Sequence, residues 1–224
     1  MIIIIITFII ISWIIFIAVA KATRKDFMEK IIVKSKLFYG LDESTIRHIL
    51  SCIDHKILVF SKGEYLYDFS KGFKAGIVLK GRIDLSTIDD DKEIIDRIYE
   101  TSDSFSLNFS SLADRLIVAK KDSEVLALDV SKIFEENKRS CSIRPIFMEN
   151  IIKLYDEQIS YLTYKLDIYS KPKIREKINM YIDRYGKDYL FSNKLSREDL
   201  AKFLACNRPA LSRELSLMKK EGLI

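Results

Sequence analysis

The chain has few of the residues that build compact chemical sites. Among 224 residues there are only three cysteines, two histidines, three prolines and seven glycines. Cys52, Cys141 and Cys206 are far apart and odd in number, which argues against a disulfide framework and against a cysteine-based zinc site. His48 and His55 are the only histidines and lie seven residues apart, so we predict no metal site.

Motifs for nucleotide binding and catalysis are also missing. No G-x-G-x-x-G or G-x-x-x-x-G-K-[ST] sequence occurs, which excludes the glycine-rich loops that hold phosphate groups. No set of nucleophile, base and acid can be assembled from the remaining motifs. The sequence therefore predicts a binding protein that is not an enzyme and has no cofactor.

The charge is distributed unevenly along the chain. Hydrophobic residues make up 48% of the sequence and charged residues 31%, which is typical of one large or two modest globular domains. The net charge is +5, and residues 171–224 contain 13 Lys and Arg against 7 Asp and Glu. The basic excess thus lies in the last quarter of the chain, as it would in a C-terminal nucleic-acid-binding module.

The first 27 residues form a separate hydrophobic segment. Residues 2–20 are apolar except for two hydroxyl side chains, and Lys21, Arg24 and Lys25 follow them. This length suits a membrane-spanning helix, and the basic flank would place the rest of the chain in the cytoplasm, tethered to the inner face of the membrane.

Two other interpretations of this segment stay open. Ala18-Val19-Ala20 resembles the cleavage site of a signal peptide, although the usual basic region before the apolar run is missing. Alternatively, the natural start is Met28, and residues 1–27 are upstream sequence read as protein.

Residues 28–140 are predicted to form an N-terminal antiparallel β-roll. The segments "KILVFSKGEYLYDF" and "GIVLKGRIDLSTI" alternate in polarity around turns at Lys62-Gly63 and Gly81. Further short strands are predicted at "IIDRIY", "RLIVAK" and "SEVLALD". Short strands with turns at this spacing indicate a roll or barrel, which makes the fold class α+β.

A long helix is predicted over residues 146–169, with Pro145 at its start. One apolar stripe has the 4-3 spacing of a heptad seam, which favours a homodimer interface. A second apolar stripe is available to pack on the β-domain. The first stripe consists of Met148, Ile152, Tyr155, Ile159, Leu162, Leu166 and Tyr169, and the second of Phe147, Ile151, Leu154 and Tyr161.

The last helices have the pattern of a helix-turn-helix. Pro172 interrupts the long helix, and a short helix follows it. Ser196 is predicted to cap the next helix, with Asp199 completing a capping box. After the short joint 205–207, Asn207 is predicted to cap the second helix, with Pro209 in its first turn.

Two arginines lie in the N-terminal half of that second helix. With Leu211, Leu215 and Met218 facing inward, the pattern places Arg208, Ser212 and Arg213 on the outward face. In a helix-turn-helix this half of the helix enters the DNA major groove, where an arginine binds guanine through two hydrogen bonds. The sequence therefore predicts double-stranded DNA as a partner.

The stretch "LSREDLAKFLACNRPALSRELSLMKKEGLI" resembles the C-terminal helix-turn-helix of the Crp/Fnr superfamily of bacterial transcription regulators, especially clostridial members. The segments "IREKI", "CSI…ENIIKL" and "KDSEVLALD" also fit, so the resemblance spans roughly residues 28–224. It implies a β-roll sensor like a cyclic-nucleotide-binding domain (28–140), a dimerisation helix (141–170) and a winged helix-turn-helix (171–224).

The resemblance also implies a cytoplasmic, homodimeric transcription regulator, with RNA polymerase as a candidate further partner. By position, Arg208, Ser212 and Arg213 match base-contacting residues of the family, whereas Pro209 replaces an acidic base reader. The full set of residues that we predict to contact DNA is Ser196, Asn207, Arg208, Ser212, Arg213 and Lys219.

Three departures from the family pattern bear on the sensor and on the end of the chain. The stretch "SDSFSLNFSSLADRLIVAK" lacks the Gly-Glu and the Arg-Ser or Arg-Thr pair that hold a cyclic nucleotide, since Arg115 is followed by Leu116. The cysteines of the iron–sulfur sensors are missing too. The sequence stops at Ile224, where a wing hairpin is expected to begin, which suggests truncation.

The effector is therefore predicted to be something other than cyclic AMP. The alternative function is a degenerate, membrane-anchored ligand-binding module whose helix-turn-helix is vestigial.

Overall fold

The computed structural model describes residues 24, 26–66, 75–89, 92–106, 115–130, 144–192 and 195–224. No helix in these ranges is both long and apolar enough to cross a membrane. The hydrophobic segment 2–20 and the boundary between residues 140 and 141 lie outside the described residues.

The N-terminal half consists of two antiparallel sheets. One sheet has the order β1-β7-β2-β5 and the other the order β4-β3-β6. The strands are β1 (His55–Phe60), β2 (Ala75–Lys80), β3 (Arg82–Asp89), β4 (Lys92–Glu100), β5 (Ser104–Ser106), β6 (Arg115–Ala119) and β7 (Ser123–Leu128). The predicted α+β fold with an N-terminal antiparallel roll is confirmed.

Alternating side chains from both sheets fill the interior of the roll. Val78 of β2, Val125 of β7 and Ile83 of β3 are fully buried in one cluster. Burial of this kind contributes about 25 cal/mol for each Å² of apolar surface removed from water. The alternation that predicted these strands therefore also supplies the core that holds them together.

The predicted turn at Gly81 joins β2 to β3 and requires glycine. Its φ is +93°, and a Cβ atom at this position would lie 2.3 Å from Ser123 Oγ and 2.5 Å from the Asp122 carbonyl oxygen. Both the backbone angle and the close approach of the start of β7 exclude a larger residue.

The structure differs from the sequence prediction at two places in the roll. The second half of "KILVFSKGEYLYDF" is no regular strand in its described part, where Tyr65 forms an isolated bridge with Val118. Strand β5 was not predicted, because three residues are too few to show alternation. It is held by its antiparallel pairing with β2.

Helical segments precede the sheets and pack on one of them. Residues 26–34 are helical (α1), a 3-10 turn follows at Lys36–Phe38, and α2 spans Glu43–Cys52. Asp42 caps α2 by accepting a hydrogen bond of 2.8 Å from the Thr45 amide. The predicted helix in "LFYGLDESTIRHIL" therefore begins only at Glu43.

The long helix α3 spans Arg144–Ser170, close to the prediction. The second stripe is buried along its length: Phe147, Ile151 and Leu154 join the core between α1, α2 and the first sheet. Tyr161 is buried further along, in the core that α3 shares with the C-terminal helices. The prediction that this stripe packs on the β-domain is confirmed for Phe147, Ile151 and Leu154, whereas Tyr161 packs with the C-terminal helices.

Four helices follow the break at Pro172. They are α4 (Ile174–Tyr185), α5 (Lys187–Phe191), α6 (Arg197–Phe203) and α7 (Arg208–Lys220). Helix α5 was not predicted, since a single turn leaves no periodic pattern. The fully buried Phe203, Leu204 and Leu211 lie at the centre of the core that these helices share.

Candidate nucleic-acid interface

Helix α6 begins at the predicted cap. Ser196 Oγ accepts a hydrogen bond of 3.0 Å from the Asp199 amide. In a capping box the Asp199 carboxylate would accept a hydrogen bond from the Ser196 amide. Here it accepts one of 3.3 Å from Arg82 of strand β3 instead. The prediction identified the cap correctly but assigned the Asp199 side chain to the wrong partner.

The joint between α6 and α7 is a tight turn. Ala205 has a φ of +46°, in the left-handed region, and the Cys206 amide donates to the Ala201 carbonyl at 3.0 Å. This closes the end of α6 in the manner of a Schellman motif. Asn207 then caps α7, with Oδ1 lying 3.5 Å from the Ala210 amide nitrogen. The joint fixes the direction in which α7 leaves α6.

The inward faces of the two helices match the prediction. Leu200, Phe203 and Leu204 of the first helix are buried. Leu211, Leu215 and Met218 of the second are buried against them. Because one face of α7 is fixed in this way, the direction of its other side chains is fixed as well.

The outward face of α7 carries the predicted DNA-contacting residues. Arg208, Ser212, Arg213 and Lys219 are all exposed. Ser196 and Asn207 are exposed too, but their side-chain oxygens serve as helix caps. Of the six residues predicted to contact DNA, four therefore have side chains that are not engaged in capping a helix.

Glu214 of α7 and Glu221, which follows the helix, are paired with α4 and do not oppose this basic face. Arg175 donates to Glu214 at 2.5 Å. It also donates to both carboxylate oxygens of Glu221, at 2.8 and 3.0 Å. This leaves the exposed face with an excess of positive charge, which suits a phosphate-rich partner.

The predicted dimer seam lies on the exposed side of α3. Tyr155 and Leu162 are 42% exposed, and Ile152, Ile159 and Leu166 are about two-thirds exposed, at 65%, 63% and 67%. Met148 and Tyr169, at the two ends, are half-buried. The Tyr169 hydroxyl donates to Asp96 at 3.3 Å, so this end of the stripe also contacts the roll.

Sequence reasoning missed the contacts by which the roll holds the helix-turn-helix. Strand β4 packs against α6, and a cavity of about 700 Å³ lies between the start of β4 and the joint before α7. Lys92, Glu93, Lys202, Cys206 and Arg208 are among the residues that line it. No local pattern links strands to a helix a hundred residues away, so this packing could not be predicted from the sequence.

The described residues contain no group of three or more His, Cys, Asp or Glu side chains that could hold a metal ion. The stretch in which a cyclic nucleotide would bind falls partly on residues 107–114, which lie outside the described ranges. The absence of cyclic-nucleotide binding therefore stays a prediction from the sequence.

A β-roll joined through one long helix to a helix-turn-helix with a basic outer face is the architecture of a two-domain DNA-binding regulator. Residues 194–224 match the model of the family of bacterial regulatory proteins called the crp family. The resemblance to Crp/Fnr regulators is thus confirmed for the helix-turn-helix, and the structural comparisons extend it to the fold. No curated protein matches the chain.

Several solved structures share this fold. A variant of CooA from Carboxydothermus hydrogenoformans is 19% identical over 82% of each chain, with a TM-score of 0.62. CLP from Xanthomonas campestris, a c-di-GMP responsive global regulator, is 14% identical over 81% of this chain and 94% of its own, with a TM-score of 0.59. A transcriptional regulator of the crp/fnr family from Eubacterium rectale is 15% identical over 84% and 88%, with a TM-score of 0.57.

Proposed function

We propose that the protein is a homodimeric, sequence-specific DNA-binding transcription regulator of the Crp/Fnr type. The observation that carries this proposal is the outer face of α7, where Arg208, Ser212 and Arg213 are exposed. Salt bridges to Arg175 neutralise Glu214 of the same helix and Glu221, which follows it. A helix with this face and a length of 13 residues fits the major groove.

The two arginines have different roles in this proposal. They are five residues apart, which is about 500° of helix rotation and leaves them about 140° apart around the axis. Arg208 lies at the start of α7, so it is suited to a phosphate or an outer base. Arg213 lies more than one turn further along, where its planar guanidinium can bind a guanine edge through two hydrogen bonds.

The exposed seam of α3 supports a homodimer. Five large apolar side chains at 4-3 spacing are exposed along a single helix face, from Ile152 to Leu166. A second copy of the same helix would bury them by knobs-into-holes packing. Two recognition helices would then read two half-sites related by the dimer axis. In the cytoplasm such a dimer would act on RNA polymerase at the promoters that it binds.

The effector in this proposal is not cyclic AMP or cyclic GMP. The stretch "SDSFSLNFSSLADRLIVAK" lacks the Gly-Glu and the Arg-Ser or Arg-Thr pair by which the family holds ribose and phosphate, since Arg115 precedes Leu116. Titration calorimetry with millimolar cyclic AMP and cyclic GMP should show no binding. A micromolar dissociation constant for either nucleotide would refute this part of the proposal.

The function itself is tested by footprinting the full chain, in mild detergent, across genomic DNA. We expect discrete protected sites with two related half-sites, and an affinity that falls steeply with salt because phosphate contacts release counterions. A variant with both Arg208→Ala and Arg213→Ala should protect no sites, whereas Lys187→Gln, at an exposed position of α5, should protect them all. If the wild-type chain protected no sites, the proposed function would be wrong.

A further inference from the structure

The strand pair β3–β4 of the roll holds helix α6 through one carboxylate. Glu93 Oε2 accepts a hydrogen bond of 3.0 Å from Lys202 of α6. Its other oxygen accepts bonds from Lys120 at 2.8 Å and from Ser86 at 3.0 Å. Burial alone would raise the pKa of Glu93, but the hydrogen bonds from Lys120 and Lys202 outweigh it and lower the pKa to about 2. The carboxylate thus stays charged and tied to both domains.

A second contact between the same elements is more deeply buried. Arg82 of β3 is only 4% exposed and binds both oxygens of Asp84, at 2.7 and 2.6 Å. Its remaining nitrogen donates to Asp199 of α6 at 3.3 Å. The Arg82 guanidinium therefore joins strand β3 of the roll to the first turn of α6.

A third contact joins the long helix to both partners. Lys165 of α3 is 2% exposed, and its Nζ donates to the Ile95 carbonyl of β4 at 2.9 Å and to the Phe203 carbonyl at the end of α6. The same ammonium lies 3.6 Å from the centre of the Phe203 ring. Ile95 is fully buried in the core of the C-terminal helices. The roll therefore completes that core.

The same strand is also fixed to α3, which carries the exposed seam. Arg97 donates to Glu157 at 3.3 Å, and Asp96 accepts from Tyr169 at 3.3 Å. A continuous path of polar contacts therefore runs from α3 through β4 to α6. The side chains of α7 that we assign to DNA take no part in it and remain exposed.

We propose that Glu93, Arg82 and Lys165, with their partners on α6, form an interdomain clamp that fixes α7 relative to the dimer seam and thereby sets the half-site spacing that the dimer reads. This inference rests on the proposed function. A dimer gains affinity from two half-sites when both can be bound at once, and a stiff connection between its two reading helices restricts that gain to one matching span. The clamp supplies that stiffness because it holds α6 from the roll and from α3 at once.

The contacts favour a clamp that holds α7 in a position suited to DNA binding over a clamp that blocks DNA binding. Every clamp contact of the helix-turn-helix lies on α6, the helix that supports α7. Arg208, at the start of α7, opens into the cavity beside Glu93, while Ser212 and Arg213 face outward. The part of α7 that carries Ser212 and Arg213 is therefore not covered by the roll.

The test uses the full chain and duplexes that the wild-type chain recovers from a random DNA library. Affinity is measured for the recovered two-half-site duplex, for versions whose centre is lengthened by one or two base pairs, and for a single half-site. The wild-type chain should lose about tenfold or more in affinity when the spacing changes. Glu93→Gln and Lys202→Gln should each lose about tenfold on the original duplex, show a flat spacing profile, and keep single half-site binding.

The two substitutions separate the clamp from simple electrostatics. Glu93→Gln removes a negative charge beside the DNA-binding face, and Lys202→Gln removes a positive one, so charge alone would move the affinity in opposite directions. The clamp requires both to lower it. Lys187→Gln is the control for a lost lysine charge and should keep the wild-type profile.

Thermal unfolding of each variant checks that it remains folded. Asp199→Asn, which loses only the Arg82 contact and leaves the Ser196 cap in place, gives a milder third variant with the same expected profile. An unchanged spacing preference in folded variants, or higher affinity in both Glu93→Gln and Lys202→Gln, would overturn the clamp. Failure of the wild-type chain to recover any duplex would instead refute the proposed function.

Discussion

Helices α6 and α7 are neighbours in the chain and carry similar charged residues, yet they use them in opposite ways. In α6, Asp199 and Lys202 are directed at the roll and bind Arg82 and Glu93. In α7, Arg208 and Arg213 point to solvent. The difference indicates that α6 is held against the roll, whereas the face of α7 that we propose to contact DNA is left exposed. Substitutions on the holding side should change stability or geometry, and those on the reading side should change DNA binding alone.

The largest effect is expected on the holding side, at Arg82. Arg82→Met would leave the fully buried Asp84 carboxylate without its main partner. An uncompensated buried charge of this kind should lower the free energy of unfolding by about 3–5 kcal/mol. Denaturant unfolding measures it. Arg197→Met, an exposed arginine of α6, should stay within about 0.5 kcal/mol of the wild type.

The second-largest effect is expected at the dimer seam of α3, which the clamp contacts connect to α6. Leu162→Asp would bury an unpaired carboxylate between two copies and weaken the dimer by about 3 kcal/mol. Sedimentation should show monomers, and DNA binding should weaken. Thr163→Asp adds the same charge at the adjacent exposed position and should leave the dimer intact. A Leu162→Asp protein that stays dimeric would place the subunit interface elsewhere.

On the reading side, Arg213→Ala should weaken binding to the specific site by about 1–3 kcal/mol and relax the choice at one base pair of each half-site. Arg213→Lys should recover little, since a point charge cannot reproduce a planar pair of donors. Binding to random DNA and the unfolding midpoint should barely change. Equal losses on specific and random DNA would make Arg213 a phosphate contact.

The smallest effect is a pH dependence on the holding side. Burial lowers the pKa of Lys165 to about 7; Asp96 on β4 opposes this shift and Lys177 on α4 adds to it. Above pH 7 the unfolded chain therefore binds more protons at this site than the folded chain does. The free energy of unfolding should rise with pH, by up to about 1.4 kcal/mol per unit.

The measurement is denaturant unfolding between pH 7 and 9, comparing the wild type with Lys165→Met. The pH range ends at 9 because burial raises the pKa of the Cys206 thiol above its usual value. At higher pH this shift lowers the free energy of unfolding as the pH rises. The variant should lack the Lys165 contribution. Equal slopes in both proteins would show that Lys165 titrates normally in the folded state.

Much of the candidate site was predictable because its signals are local. The caps at Ser196 and Asn207, the inward face at Leu200 and Leu211, and the outward direction of Arg213 all follow from helix periodicity and cap chemistry within a few residues. Helix α5 and strand β5 escaped prediction because they are too short to show a period.

The sequence by itself determined the alternation of the strands, the two apolar stripes of α3 and the basic outer face of α7, because each depends on side chains that recur along one segment. Only the tertiary structure decided where the charges of α6 point. Arg82 and Asp199 are 117 residues apart, and Lys165 meets Ile95 across 70 residues. Such pairs form only when sheets and helices pack, because a charged group buried away from water needs a partner, which is a carboxylate for Arg82 and a backbone carbonyl for Lys165.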